Sequence, residues 1–204
     1  MKTCIIIGNG PSLNQIPDTL LNCYTTFGSN RIYLRYQPDI YACVNPLVIQ
    51  QYAPQITAMQ SVKFIRAELS HLVPACIPVR STSAHEFSFS PLRHVYEGYT
   101  VTFVLMQLAF MFGFERVGLV GVDHRYQFNG KPNQQLTADL PDPNHFDDKY
   151  FSGGAQWNAP DLERSEEAYK LARRAFSDAG REIINLTPGS ALTVFPHEDW
   201  QTWI

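Results

Sequence analysis

The stretch Ile5-Ile6-Ile7-Gly8-Asn9-Gly10-Pro11-Ser12-Leu13 decides how the rest of the 204-residue chain is read. An apolar, β-branched run stops at two glycines flanking an asparagine, and Pro-Ser-Leu follows. That pattern predicts a buried first strand, a tight loop and a helix N-terminus, an arrangement suited to holding phosphate. Backbone N–H groups point out of such a loop, and glycine lets the backbone approach a ligand closely. The helix dipole there adds about 0.3–1 kcal/mol for an anion, up to about 2 in a partly buried site. That is too little to hold a nucleotide, so partners are expected elsewhere in the chain. The spacing is not G-x-G-x-x-G and the Walker lysine is missing. An ordinary strand-to-helix turn is the plain alternative.

Working outward, Cys23–Gly28, Asp39–Val44 and Val62–Arg66 read as further strands, bounded by Gly, Asn or Pro. A helix is expected over Leu13–Leu21, interrupted at Pro17, and another over Leu47–Met59, bent or split by Pro54. The segment 69–96 carries Pro74, Pro78 and Pro91 and reads as loops with one short strand at most. Tyr99–Phe112 is apolar on nearly all faces, so it predicts a helix packed on both sides, closed by Gly113. Arg116–Val122 is a central strand ending at Asp123-His124. Gln127–Ala159 is long and polar yet holds His145, Phe146, Tyr150, Phe151 and Trp157, which favours an active-site lid over a disordered linker. Asp161 caps a helix to Ala179, in which Glu166 stands four residues before Lys170, and Ile183–Leu186 is the last strand. Strands alternating with helices predict a doubly wound α/β fold, Rossmann-like, with a mostly parallel sheet covered by helices on both faces. One domain over 1–204 is expected, with the lid at about 127–159.

Composition narrows the function. A net charge of −3 gives no reason to expect nucleic-acid binding. The most apolar segment, Val101–Phe114, falls short of the ~20 residues that span a bilayer. No signal peptide fits, because Gly8-Asn9-Gly10 interrupts the N-terminal apolar run, and a cytoplasmic location is expected. Cys4, Cys23, Cys43 and Cys76 have no C-x-x-C spacing and read as reduced core residues. Trp200 and Trp203 suit either a homo-oligomer interface or packing onto the domain.

In a parallel α/β sheet the ligand sits at the carboxyl ends of the strands. Those ends are Gly8-Asn9-Gly10, leading into Pro11 and Ser12, then Ser29-Asn30-Arg31, Asn45-Pro46, Asp123-His124 and Thr187-Pro188-Gly189-Ser190. Nearly all carry groups that hydrogen-bond sugar, base or phosphate. A single asparagine there is an ordinary turn residue; its repetition along one edge favours a site. His145, in Asp142-Pro143-Asn144-His145-Phe146, is a lid histidine among carboxylates that would raise its pKa, a candidate general base or acid, with Tyr126 and Tyr150 as lesser candidates. Asp123, Asp142 and Asp147 are oxygen ligands for Mg²⁺ if one is used, although their spacing matches no metal motif.

These residues carry a resemblance. The pieces at 6–13, 29–31, 45–46, 98–102 (Gly-Tyr-Thr-Val-Thr), 113–123 (Gly-Phe-Glu-Arg-Val-Gly-Leu-Val-Gly-Val-Asp) and 185–190 (Asn-Leu-Thr-Pro-Gly-Ser) resemble the MptE-like family of 6-hydroxymethylpterin diphosphokinases and the related family 42 bacterial sialyltransferases. The resemblance implies that Asn9, Gly10 and Ser12 touch nucleotide phosphate, and that Asn30 and Asn45 reach ribose, base or donor group. It implies that Thr100 and Thr102 line the nucleotide pocket, that a lid histidine is the base, and that tyrosines assist the departing phosphate. The family's base position falls near Lys149-Tyr150, and Arg93 and Arg125 stand in for a displaced arginine.

The function expected is a nucleotide-dependent transferase, a small glycosyltransferase of surface-glycan assembly with a nucleotide-sugar donor and a small-molecule or glycan acceptor, requiring no metal. One alternative is the MptE-like diphosphokinase reaction with ATP and Mg²⁺. Another is a non-catalytic nucleotide- or glycan-binding protein.

Overall fold

A computed structural model describes residues 1–127, 129–138, 141–151 and 154–204, so parts of the predicted lid lie outside the described residues. The chain opens with strand β1 (Thr3–Ile7), a 3₁₀ turn (Pro11–Gln15) and the one-turn helix α1 (Asp18–Leu21). Strands β2 (Thr25–Ser29) and β3 (Ile40–Cys43) lead to helix α2 (Pro46–Ala58), then β4 (Val62–Arg66) and β5 (Ile77–Val79). Short strands β6 (Ser81–Thr82) and β7 (Val95–Tyr96) precede helix α3 (Val101–Met111) and strand β8 (Arg116–Val120). Strands β9 (Gln135–Thr137) and β10 (Gln156–Asn158) lie in the predicted lid, followed by helix α4 (Leu162–Asp178) and strand β11 (Glu182–Asn185).

Seven strands form one sheet in the order β11-β8-β1-β2-β3-β4-β5, and every pair in it is parallel. The chain therefore builds outward from β1 to one edge, returns to the other side of β1, and ends at the opposite edge. The reversal point between β1 and β8 is where an α/β sheet opens a crevice at its carboxyl edge. This is the doubly wound architecture that the alternation of elements predicts.

Strand periodicity assigns the two faces. Cys4 and Ile6 share a core with Phe27, most of α3 and the inner side of α4. Ile5 and Ile7 share the other core with Leu20 and Leu21, with Val48, Ile49 and Ile56 of α2, and with Phe146, Tyr150 and Phe151 of the long loop. Helix α3 is buried from Thr102 to Ala109, as its all-round apolar pattern requires. Its one long polar side chain, Gln107, is saturated. The carbonyl oxygen accepts from Ser88 N and Tyr96 N, and the amide donates to Tyr96 O and Phe103 O. Helix α2 breaks at Tyr52, two residues before Pro54, where the missing N–H and the ring displace the preceding turn.

Several expectations need correction. The short helix expected over Leu13–Leu21 does break at Pro17, but its first part is a 3₁₀ turn that starts earlier, at Pro11, and its second is a single turn from Asp18. The segment 69–96 holds three short strands rather than one. The long loop carries an antiparallel hairpin pairing of Leu136 with Trp157. Cys4 and Cys43 are buried thiols, but Cys23 is exposed, since it lies in the turn before β2 and not in the strand. Trp203 packs into the core, with its indole N–H donating to Glu198 at 2.8 Å and its ring under Arg116. Among the described residues no helix is long and apolar enough to cross a membrane.

The β1–β8 seam explains the glycines. A Cβ on Gly8 would lie 2.4 Å from the Gly121 carbonyl oxygen, a backbone atom that cannot swing aside, and Gly121 itself sits at φ +67°. Gly8→Ala is expected to part the two strand ends and cost about 1–3 kcal/mol, the range for overpacking a tight contact. Urea unfolding of the variant against the parent checks this; an unchanged midpoint would show that the seam relaxes freely.

Candidate active site

A cavity of about 380 Å³ opens at the carboxyl edge of the sheet, over the β1–β8 reversal. Its size suits a small-molecule ligand. The N-terminal turns of α2, α3 and α4 all border it, through Asn45-Pro46, Thr100-Val101-Thr102 and Asp161-Leu162. The long loop closes the remaining side with His145, Tyr150, Phe151 and Trp157.

Of the residues expected to bind nucleotide, the structure brings Gly8, Asn9, Gly10, Asn30, Asn45, Thr100, Thr102 and Asp123 to this one cavity. It does not bring Pro11, Ser12, Arg31 or Ser190 to the wall. Each has a physical reason. The Ser12 hydroxyl donates to Asp123 Oδ2 at 2.7 Å and its N–H to Asp123 Oδ1 at 3.2 Å, so the aspartate carboxylate already sits on the turn where phosphate was expected. Pro11 has no N–H to offer a ligand. The Gly8 and Gly10 N–H groups donate to Val120 O and Gly121 O, and the Leu13 N–H to Gly10 O. The opening loop thus spends its two glycine donors on the strand across the seam. The Ser190 hydroxyl turns inward to the Val122 carbonyl at 2.6 Å.

Arg31 is buried behind Tyr150. Its guanidinium lies 4.1 Å over the Tyr52 ring and 5.6 Å from the Tyr150 ring, Nε donates to the Tyr33 hydroxyl, and Nη1 has no hydrogen-bond partner. An aromatic box stabilises such a cation through the ring faces. Its backbone N–H donates to the Tyr150 hydroxyl at 3.1 Å. Arg31 thus anchors the loop tyrosine and does not reach the ligand space.

The asparagines do different work. Asn45 caps α2 by accepting from Leu47 N at 3.0 Å. Asn30 sits at φ +51°, and its carbonyl takes the Tyr41 hydroxyl at 2.7 Å. The Asn9 amide reaches Ser29 at 3.4 Å, while its Oδ1 is buried without a partner. A buried carbonyl left unpaired costs about 1–3 kcal/mol. At the start of α3, Thr100 Oγ1 caps Thr102 N and meets the Tyr169 hydroxyl at 3.3 Å.

The loop histidine is paired with a carboxylate. His145 Nδ1 lies 2.8 Å from Asp142 Oδ2, and both side chains are at most 10% exposed. The Asp142 carboxylate is fixed in turn by the Asn144 N–H at 2.8 Å. Donation from Nδ1–H leaves Nε2 as the acceptor. The ring stacks flat on Tyr150 at 3.9 Å. Burial pushes the Tyr150 phenol well above its usual range, and it stays a neutral hydroxyl. Tyr126 borders the cavity at its exposed rim, edge-on to His145 at 6.3 Å.

Asp123, Asp142 and Asp147 do not converge. Asp123 is bound to Ser12, Asp142 to His145, and Asp147 to the Lys149 N–H at 2.8 Å. No group of three His, Cys, Asp or Glu able to hold a metal occurs among the described residues. Arg125 borders the cavity as an exposed cation, whereas Arg93 does not border it.

Sequence reading missed one pair. His124 Nε2 lies 3.1 Å from Glu166 Oε1, with the imidazole 7% exposed and bordering the cavity. Glu166 was expected to pair with Lys170 along the helix; its ion-pair partner among the described residues is His124, 42 positions away. The available signal was a histidine directly after a strand end, on the sheet edge where ligands sit.

No family model matches this chain, and no curated protein matches it either. Its fold is shared with solved structures. The MAf glycosyltransferase from Magnetospirillum magneticum AMB-1 superposes with a TM-score of 0.60 at 13% identity, over 98% of this chain and 34% of that one, so the chain spans about a third of that protein. The sialyltransferase CstII from Campylobacter jejuni, solved with the substrate analogue CMP-3FNeuAc, superposes at 0.53 with 17% identity, over 97% of this chain and 86% of that one. The same enzyme with cytidine-5'-monophosphate gives 0.50 at 16% identity. These identities establish a common fold: a parallel α/β sheet that also serves glycosyltransferases.

Proposed function

We propose that the chain is a nucleotide-dependent transferase that moves a sugar from a nucleotide-activated donor to a hydroxyl acceptor, in surface-glycan assembly. The observation that carries this reading is the buried Asp142–His145 pair on the wall of a nucleotide-sized cavity, with Nε2 left as the acceptor. The shared fold of a sialyltransferase solved with a CMP-sugar analogue supports it.

The reaction is a direct displacement. The nucleotide is held by Asn9, Asn30 and Asn45 on the sheet edge, and by Thr100 with Thr102 at the start of α3. The acceptor hydroxyl gives its proton to His145 Nε2 as its oxygen bonds to the sugar carbon, and the donor phosphate leaves with the bonding electrons. Asp142 stabilises the imidazolium that results, and the Tyr150 ring keeps it in plane. Phe151 and Trp157, 5.6 Å apart, give the acceptor an apolar wall and limit water at the reacting carbon. The diphosphokinase alternative has less support because, of its expected Mg²⁺ ligands, Asp142 and Asp147 do not border the cavity.

A thermal-shift panel of CMP, CDP, UDP and ATP, each with and without Mg²⁺, tests the donor. A pyrimidine nucleotide without metal is expected to raise the melting temperature, since saturation at a hundredfold Kd adds about 2.7 kcal/mol. Stabilisation by ATP with Mg²⁺ alone would transfer the reading to the diphosphokinase reaction. With the activated donor so identified, His145→Ala is expected to lower kcat by about 10²–10⁴-fold while leaving donor binding in place. Asp142→Asn should also lower kcat, because an amide cannot stabilise the imidazolium. Full turnover in His145→Ala would remove the base assignment.

A further inference from the structure

Displacement at a phosphate-bearing carbon has two proton-linked ends. The acceptor oxygen must lose a proton, and the departing phosphate oxygen gains negative charge. His145 with Asp142 serves the first end. A second histidine–carboxylate pair borders the same cavity, built from different elements: His124 directly after the end of β8, and Glu166 on α4. His124 stands beside Asp123 at the strand reversal, and its ring lies 6.1 Å from that of Tyr169, whose hydroxyl meets Thr100 at the first turn of α3. Two cavity-bordering groups, the α3 N-terminus and the neighbouring Arg125, favour negative charge there.

The orientation of the imidazole is determined. Nε2 is taken by Glu166, so Nδ1 is the nitrogen left for a ligand, and no described residue hydrogen-bonds to it. His124 also occupies a left-handed backbone conformation, φ +54°, which histidine tolerates better than most non-glycine residues.

Resting on the nucleotide-sugar reading above, we propose that His124, oriented by Glu166, is a second catalytic histidine that donates from Nδ1–H to the departing phosphate of the donor. The acceptor O–H bond breaks toward His145 Nε2 and the new carbon–oxygen bond forms. The carbon–phosphate-oxygen bond breaks, its electron pair stays on that oxygen, and the His124 proton bonds to it. One turnover leaves His145 protonated and His124 neutral; exchange with water restores both. Glu166 is a positioning residue, since it acts through the imidazole. The charged and titratable groups around His124 are Glu166 and Tyr169 from α4, Asp123 and Arg125 beside it in the chain, and His145 on the same cavity wall. Asp123 is occupied by Ser12, and Tyr169 is a buried phenol held neutral.

The test is calorimetric binding of CMP and of cytidine, with UMP and uridine as a second pair, to the parent protein, His124→Asn and Glu166→Gln at about pH 6 and about pH 8. Asparagine is chosen because it keeps the left-handed backbone. His124→Asn is expected to weaken the monophosphate about tenfold to a hundredfold at the lower pH, the range of a charge-assisted hydrogen bond, while leaving the nucleoside unchanged. The ratio of parent to variant affinity is expected to shrink at the higher pH. The ratio cancels the titration of the phosphate itself. Glu166→Gln should lower the pH at which the parent's extra affinity is lost, a change that a merely structural role would not cause. Equal weakening of monophosphate and nucleoside, or a ratio independent of pH, would overturn the assignment of His124 and leave the transferase reading intact. Failure of the parent protein to bind either monophosphate would overturn both.

Discussion

One contact across the β1–β8 seam governs the molecule: the Asp123 carboxylate seated on the N–H and hydroxyl of Ser12. It joins the first strand to the strand that returns beside it after more than a hundred residues. Because a charged acceptor closes onto two donors in a partly buried setting, the bond is of the stronger, charge-assisted kind. Everything near it is shaped by the approach it demands. A Cβ on Gly10 would fall 1.9 Å from the carboxylate, so only glycine fits, and Gly8 and Gly121 face each other with backbone against backbone. The cavity exists because the two strand ends are pinned here and the chain diverges above them.

The long loop depends on the same seam. Phe146 N donates to the Asn9 carbonyl, and the Asn14 amide donates to the Phe146 carbonyl at 2.7 Å. Gln51 exchanges two hydrogen bonds with the backbone of Gln156, one at each end of its amide. Tyr150 drops its hydroxyl onto the Arg31 N–H. These ties explain how a segment rich in Pro, Asn and Asp holds a histidine still: its aromatic residues join the core beneath α2 rather than solvent. The energy comes from burying Phe146, Tyr150 and Phe151, each of which is worth several polar contacts at the surface.

Much of this was legible in the chain, and the remainder was not, for identifiable reasons. Strand β4 and helix α4 follow local pattern alone, and so does the all-round apolar α3. The carboxyl-edge rule assembled Asn9, Asn30, Asn45 and Asp123 on one cavity, because a parallel sheet leaves its strand ends no other place, while Thr100 and Thr102 came from the family resemblance. Local reading failed where a long-range partner pre-empted a local one. Ser12 looked like a phosphate ligand until Asp123, 111 positions later, took its donors. Glu166 looked like a helix-surface partner of Lys170 until His124 claimed it. Arg31 looked like a strand-end ligand, but three tyrosines enclose it, and ring faces leave no mark in a residue count.

The side chains that border the cavity limit what selectivity a ligand site there can have. A nest of backbone donors reads charge and little else, since every phosphate offers it the same oxygens. Here the Gly8 and Gly10 donors are consumed by the seam, and three asparagines and two threonines border the cavity. Such groups distinguish donor from acceptor on a ligand, because a buried polar group without its complement is penalised by more than a matched one gains. On the transferase reading proposed above, recognition of sugar and base falls to the sheet edge, and proton handling to His145 on the loop and His124 after β8.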